Sequence, residues 1–220
     1  MDIKTRAQSV FKILDKKYKN HGQTGLKNWK NDWQYLFCVI LSARVTDDQV
    51  NKVTKNIFEK YKNLEDFVKA DLKVLSNDIH RLGFYNSKSR HIQKAAQIII
   101  KYFKSKIPNK IEDLIKIPGV GRKTANVFQQ VILGKSEGIA VDTHVGRLSQ
   151  RLGFTKMKDP KKIELDLMKI FKKEQFYRIN PILFWHGRTI CLAKKPKCDV
   201  CEIKKLCTSA FKFLKLMYEK

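Results

Sequence analysis

Four of the chain's five cysteines fall within 17 residues, as Cys191, Cys198, Cys201 and Cys207 in the pattern C-x6-C-x2-C-x5-C. No other feature limits the fold as sharply, because four sulfurs drawn to one centre fix the path of the whole segment. A disulfide framework spreads its cysteines and belongs to small secreted chains. This chain has 220 residues, and a chain of that size buries about 70–75% of its unfolded surface without staples. The clustering therefore points to metal. Four thiolates suit tetrahedral zinc or an iron–sulfur cluster, and the spacing does not choose between them. Cys38 stands apart in an apolar run and reads as a small core residue.

The rest of the chain reads as helix. Ile92, Ala95, Ala96, Ile99 and Phe103 recur at offsets of three and four, as do Ile163, Leu167, Ile170 and Phe171, so each set lines one helical face. Thr46 with Gln49 fits a capping box opening a helix over 47–60. Asp159 and Pro160 fit the cap and first turn of a helix over 161–173, and Asn180-Pro181 suits the start of another over 182–192. Breaks fall at 18–30, 105–110 and 134–141. No alternation lasts long enough to make a sheet, and the expected class is all-α. At 43% hydrophobic and 30% charged, the composition excludes a mostly disordered or collagen-like chain. No apolar run approaches the ~20 residues of a membrane span, and no secretory leader is visible. The expectation is therefore a cytoplasmic, nucleoid-associated protein of a bacterium or archaeon, with no membrane partner.

Charge names a partner class. Lys+Arg 46 against Asp+Glu 21 gives +25, a field that attracts polyanions. Lysine bias accounts for part of it, since 37 of the 46 basic residues are Lys. Nucleic acid leads the candidate partners.

Residues 112–128 read EDLIKIPGVGRKTANVF. A short helix over 112–116 meets Gly119-Val120-Gly121, and a second helix begins near Arg122. Paired glycines permit a tight turn and close backbone approach, and the turn feeds a helix N-terminus whose N–H groups bind phosphate. Val120 is expected to pack inward and fix the turn. Lys123 sits in the first turn of the second helix. The positive end of the helix and partial burial both disfavour an ammonium, and an amine so tuned is a nucleophile able to form a Schiff base. Asp142, in A-V-D-T-H, reads as a helix N-cap that can also face a developing cation. Spacing alone favours the plainer readings, a surface lysine and a simple cap. Lys194, Lys195 and Lys197 lie on the loop between the first two clustered cysteines, where they either meet phosphates or are merely solvated.

These segments together resemble the endonuclease III family of helix–hairpin–helix DNA glycosylases. Four stretches carry the resemblance in order: LSARVTDDQVNK (41–52), LGFYNSKSRHI (82–92), IPGVGRKTANV…VDTHVGRLSQRLG (117–153) and HGRTICLAKKPKCDVCEIKKLC (186–207). The resemblance implies two all-α domains with damaged DNA between them. One is a six-helix domain over 23–135 that holds the hairpin. The other, 1–22 plus 136–220, holds a 4Fe–4S cluster on Cys191, Cys198, Cys201 and Cys207. It implies a monomer that acts on double-stranded DNA containing a damaged base or abasic site. Lys123 is the implied nucleophile at C1′ and Asp142 the implied stabiliser of the cationic sugar. The implied outcome is removal of an oxidised pyrimidine and strand cleavage by β-elimination. DNA contacts are implied for Gly119, Val120, Gly121 and Arg122. Two implied wedge positions depart from the family: Arg44 stands where a glutamine is usual, and Phe84 where a leucine is usual. Cys38 and Lys123 argue against the adenine-removing and thymine-mismatch relatives. The rival readings are a glycosylase of shifted specificity, for mismatched thymine, uracil or an oxidised purine, and a non-catalytic DNA-binding module.

Overall fold

The structure, a computed structural model, describes residues 1–22 and 24–218. Every regular element among them is helical. The chain divides into two compact units, one of Met1–Gln23 with Gly134–Lys220, the other Thr24–Leu133.

The Thr24–Leu133 unit is built on α2 (Asp32–Leu41), in which every residue from Gln34 to Leu41 is buried. A helix apolar on all sides belongs inside its domain, and α3 (Asp47–Lys60), α6 (Tyr85–Phe103) and α8 (Arg122–Ile132) pack around it. The start of α3 follows from Thr46, whose hydroxyl accepts the Gln49 N–H at 3.4 Å. Asn63 and Asp66 close a reciprocal capping box at the head of α4 (Leu64–Lys69). Trp33, Phe37 and Phe67 meet edge to face, with centroids 5.1–5.7 Å apart, the geometry aromatic quadrupoles favour. Cys38 is fully buried here, and burial pushes its thiol up to about 12. It is a core residue and no reactive thiol.

The second unit packs α1 (Ile3–Lys17) against α10 (Pro160–Ile170) and α11 (Phe176–Thr189), and α9 (Thr143–Arg151) against α10 and α11. Ala7, Val10 and Leu14 of α1 recur at helical spacing and are buried among Leu148, Leu167 and Ile179. Asp159 caps α10 through the Lys162 N–H, with Pro160 in the first turn.

Three helix boundaries differ from the sequence expectation. The helix expected over 161–173 stops at Ile170, because Phe171 turns extended to bury its ring edge-on against Phe154. The helix expected over 182–192 starts six residues earlier, with Pro181 inside it. Pro181 gives up one i→i−4 hydrogen bond, but Phe176 and Ile179 are buried and extend the apolar face upstream of it. The short helix expected over 112–116 is α7, Ile111–Leu114. No helix among the described residues is long and apolar enough to cross a membrane.

Candidate active site and cysteine centre

The hairpin between α7 and α8 uses its two glycines differently. Gly119 has φ +85°, and a Cβ there would lie 2.9 Å from Ile40 Cγ2 and 3.1 Å from His91 Cβ. The fold itself demands glycine at that position. Val120 is buried and its N–H donates to the Ile117 carbonyl at 3.0 Å, so it pins the turn as expected. Gly121 has an ordinary φ of −90°, and nothing lies within 4 Å of where its Cβ would stand. No atom of the protein excludes a side chain there, and the position is open to a molecule approaching from outside. Gly121 is the N-cap of α8, whose first turn has no side-chain cap and no acidic residue. The helix therefore presents N–H donors and positive potential to solvent, with Arg122 and Lys123 exposed beside them.

Lys123 departs from expectation in one respect. Partial burial was expected, and the side chain is exposed. Ala125 and Phe128 define the core face of α8, and a residue two positions before Ala125 is turned about 200° from it.

Asp142 belongs to the other unit and caps α9, its Oδ1 accepting the Val145 N–H at 2.8 Å. The approach to it is held on both sides. The Ile139 N–H donates to Glu164 Oε1 at 3.2 Å, and Asn180 Nδ2 donates to the Ala140 carbonyl at 2.9 Å. Buried Ile139, Ala140 and Val141 complete a rigid lead-in, and the half-buried carboxylate stands at its end. Burial lowers the neighbouring His144, against the opposing pull of Asp142.

Arg44 and Phe84 lie on different loops of the Thr24–Leu133 unit and are brought together. Both hold left-handed backbone, φ 57° and 62°, a conformation costing a bulky residue about 1–3 kcal/mol. The Arg44 guanidinium sits 5.4 Å from the Phe84 ring centroid, within cation–π range. Phe84 is 62% exposed, so it is no core residue. Its carbonyl accepts the N–H groups of Ser87 and Lys88, both at 3.0 Å, and so starts α6.

Cys191, Cys198, Cys201 and Cys207 line one cavity with Leu148, Arg151 and Ile203 among its other walls. Burial raises the thiols of Cys198, Cys201 and Cys207, and nearby sulfurs raise each further; Cys201 is pushed up to about 11. Such a set stays protonated until a positive centre makes it thiolate. Among the described residues no three Cys, His, Asp or Glu side chains already stand together as a site for a metal ion. The donor set is all sulfur, and cationic groups face it. Arg151 Nη1 donates to Cys191 Sγ at 3.2 Å and to the Leu192 carbonyl at 2.7 Å. Arg147 Nη2 donates to the Gly187 and Cys191 carbonyls at 2.9 and 3.0 Å. Four soft ligands flanked by cations fit a thiolate-held iron–sulfur cluster, whose net charge is negative. Lys194, Lys195 and Lys197 are all exposed on the loop that these arginines anchor.

Sequence reasoning missed the anchors. Arg147 and Arg151 are four apart on α9, a spacing that places both on one face, and this was the available signal. Nothing local marked His186, whose Nε2 lies 3.5 Å from Cys201 Sγ.

The model of the "HhH-GPD superfamily base excision DNA repair protein" family matches residues 37–173. Endonuclease III of Synechocystis sp. is 41% identical over 207 residues, 94% of each chain, and that of Bacillus subtilis 42% identical over 178 residues, 80% of this chain and 81% of its own. Among solved structures, a trapped endonuclease III–DNA covalent intermediate superposes with TM-score 0.88 at 38% identity, covering 97% of this chain and 100% of that one. A thermostable thymine-DNA glycosylase shares the fold at TM-score 0.82 and 21% identity, covering 94% of this chain and 98% of its own.

Proposed function

The chain belongs to the endonuclease III family within the HhH-GPD superfamily of base excision DNA repair proteins, and from that premise we propose how its residues do the work. It is a DNA glycosylase with AP lyase activity. Its substrate is double-stranded DNA carrying a damaged base or an abasic site, and oxidised pyrimidines are the bases we assign to it. One observation carries the reading. The sequence that follows the hairpin glycines places an exposed lysine, Lys123, in the first turn of a helix whose N-terminus is open to phosphate.

The hairpin holds the DNA backbone. Gly121 lets a phosphate approach the uncapped N-terminus of α8, and Arg122 adds charge there. The amine of Lys123 attacks C1′ of the damaged nucleotide and the base departs with the glycosidic electrons. Asp142, fixed as a cap, faces the positive charge that grows on the sugar and accepts the proton that the amine sheds. The sugar ring then opens: the C1′–O4′ electrons leave on O4′, which takes up a proton, and C1′ becomes an imine with Lys123. The imine acidifies the C2′ proton, and loss of the 3′ phosphate follows by β-elimination. Phe84 and Arg44 fill the gap left by the extruded nucleotide, which offsets an unstacking cost of a few kcal/mol.

The cysteine region is proposed to bind a 4Fe–4S cluster through Cys191, Cys198, Cys201 and Cys207. When bound, the cluster cross-links the segment and offers a redox centre. The loop it orders presents Lys194, Lys195 and Lys197 to the phosphates. The protein acts as a monomer, and a bacterial or archaeal cytoplasm is its proposed location.

The test is incision of end-labelled duplexes carrying thymine glycol, oxidised cytosine, uracil, mismatched thymine or 8-oxoguanine. The expected result is cleavage at the two oxidised pyrimidines, with the 3′ unsaturated aldehyde that β-elimination leaves. Cleavage only at mismatched thymine, uracil or the oxidised purine contradicts the lesion class; binding without cleavage of any duplex contradicts the activity.

A further inference from the structure

His186 is buried on α11, at 1% exposure, and touches the cysteine centre from one side and the N-terminal helix from the other. Its Nε2 lies 3.5 Å from Cys201 Sγ and its Nδ1 lies 3.2 Å from the Tyr18 hydroxyl. Tyr18, the C-cap of α1, is 2% exposed. Its hydroxyl continues 3.0 Å to Thr189 Oγ1, which reaches the Trp185 carbonyl at 2.8 Å. A continuous hydrogen-bonded chain thus runs from a candidate ligand to the end of α1. None of the catalytic steps above uses it.

We propose that His186 is a positioning residue for the cysteine centre, its Nε2–H donating to the Cys201 thiolate in a tautomer that Tyr18 enforces. The proposal rests on the cluster reading given above. A buried neutral imidazole carries one N–H. A thiolate sulfur bound to iron can only accept, so that hydrogen belongs on Nε2. Nδ1 is then an acceptor and takes the Tyr18 O–H. The Thr189 hydroxyl has a single hydrogen, which goes either to the Trp185 carbonyl or to the Tyr18 oxygen. That carbonyl retains its helical bond from the Thr189 N–H. His186 and the thiolate are then matched donor to acceptor at both ring nitrogens, and the one oxygen pair left without a hydrogen lies at Thr189, away from the cysteines. The reverse order sets the Nε2 lone pair against the thiolate.

The consequence follows from N–H···S bonding. A donor on a ligating sulfur draws off negative charge, which favours the reduced cluster and strengthens its hold. Arg151 makes a charged version of the same contact on Cys191. His186 makes an uncharged one, tied through Tyr18 to α1.

The test compares iron-loaded wild type with Tyr18→Phe and His186→Phe by voltammetry of the cluster and by the rate at which an iron chelator bleaches its visible absorption. Both variants are expected to shift the reduction potential to more negative values, His186→Phe further. Bleaching of His186→Phe is expected to accelerate about ten-fold, the scale of one hydrogen bond to a charged acceptor. A residue that only packs would leave the potential in place. Unshifted potentials in both iron-loaded variants overturn the proposal. Should His186→Phe fail to load iron, Tyr18→Phe decides alone: a negative shift supports the proposal, and none overturns it. Wild type that purifies without iron removes the cluster reading itself, and this proposal with it.

Discussion

Asp142 caps α9 and is proposed to carry the catalytic carboxylate, and one substitution separates the two roles. Asn caps a helix as well as Asp does, so Asp142→Asn keeps the bond to Val145 N–H while deleting the charge. The expected outcome is an unfolding midpoint within a degree or two of wild type and glycosylase activity lower by about 10²–10⁴-fold, the range of general acid–base groups. Asp142→Ala loses the cap too and is expected to cost about 1 kcal/mol of stability as well, measured by denaturant titration. The cap was legible in V-D-T-H because capping is local chemistry. The exposure of Lys123 was not, because the buried face of α8 is set by residues of α2 and α7 packed against it. Nor was the contact of His186 with Tyr18, 168 residues away. Phe84 sits between these cases. Its position was readable from L-G-F-Y-N-S-K, but its left-handed backbone and its stack on Arg44 belong to the folded loops. Phe84→Ala is expected to slow base removal from duplex about ten-fold or more, an unstacking cost of a few kcal/mol being only partly met, with no loss of stability, since the ring buries little. Single-turnover kinetics beside a melting curve checks both halves.

At the scale of the element, the hairpin divides into a glycine that the fold demands, Gly119, and one that we propose serves the ligand, Gly121. Gly119→Ala forces a Cβ to within 2.9 Å of Ile40 at a positive φ and is expected to cost about 1–3 kcal/mol. Gly121→Ala meets no atom of the protein within 4 Å and is expected to cost less, no more than about 1 kcal/mol, the preference for glycine over alanine at an N-cap. Both are expected to weaken DNA binding. Equal destabilisation by the two would contradict the division, with unfolding and binding measured on the same preparations. The motif G-V-G was readable in the sequence; which glycine answers to which demand was not. Helix starts were readable where a side chain declares them, at Thr46 and Asp159. They were misread at Pro181, where burial of Phe176 and Ile179 outweighs one lost hydrogen bond. Propensity is local and burial is not.

For the whole molecule, the charge of +25 has two proposed places to act: the uncapped start of α8, and the exposed lysines of the cysteine loop. A protein neutralising six to ten phosphates loses about 10³–10⁵ in affinity between 50 and 200 mM salt, and binding to undamaged duplex is expected to fall in that range. Replacing Lys194, Lys195 and Lys197 together by Ala is expected to reduce the slope of log affinity against log salt by up to about three; an unchanged slope would mean that these lysines are merely solvated. The all-α class and the four cysteines were readable from period and spacing, whereas the groups that steady the cysteines come from α9 and α11 and meet them only in the fold. The central claim is that one lysine among 37 is the nucleophile. Borohydride reduction of the protein mixed with abasic-site duplex tests it most directly. The account predicts a covalent protein–DNA band for wild type and none for Lys123→Ala, with DNA binding retained by the variant; a band that survives the substitution, or a wild type that binds but never traps, contradicts it.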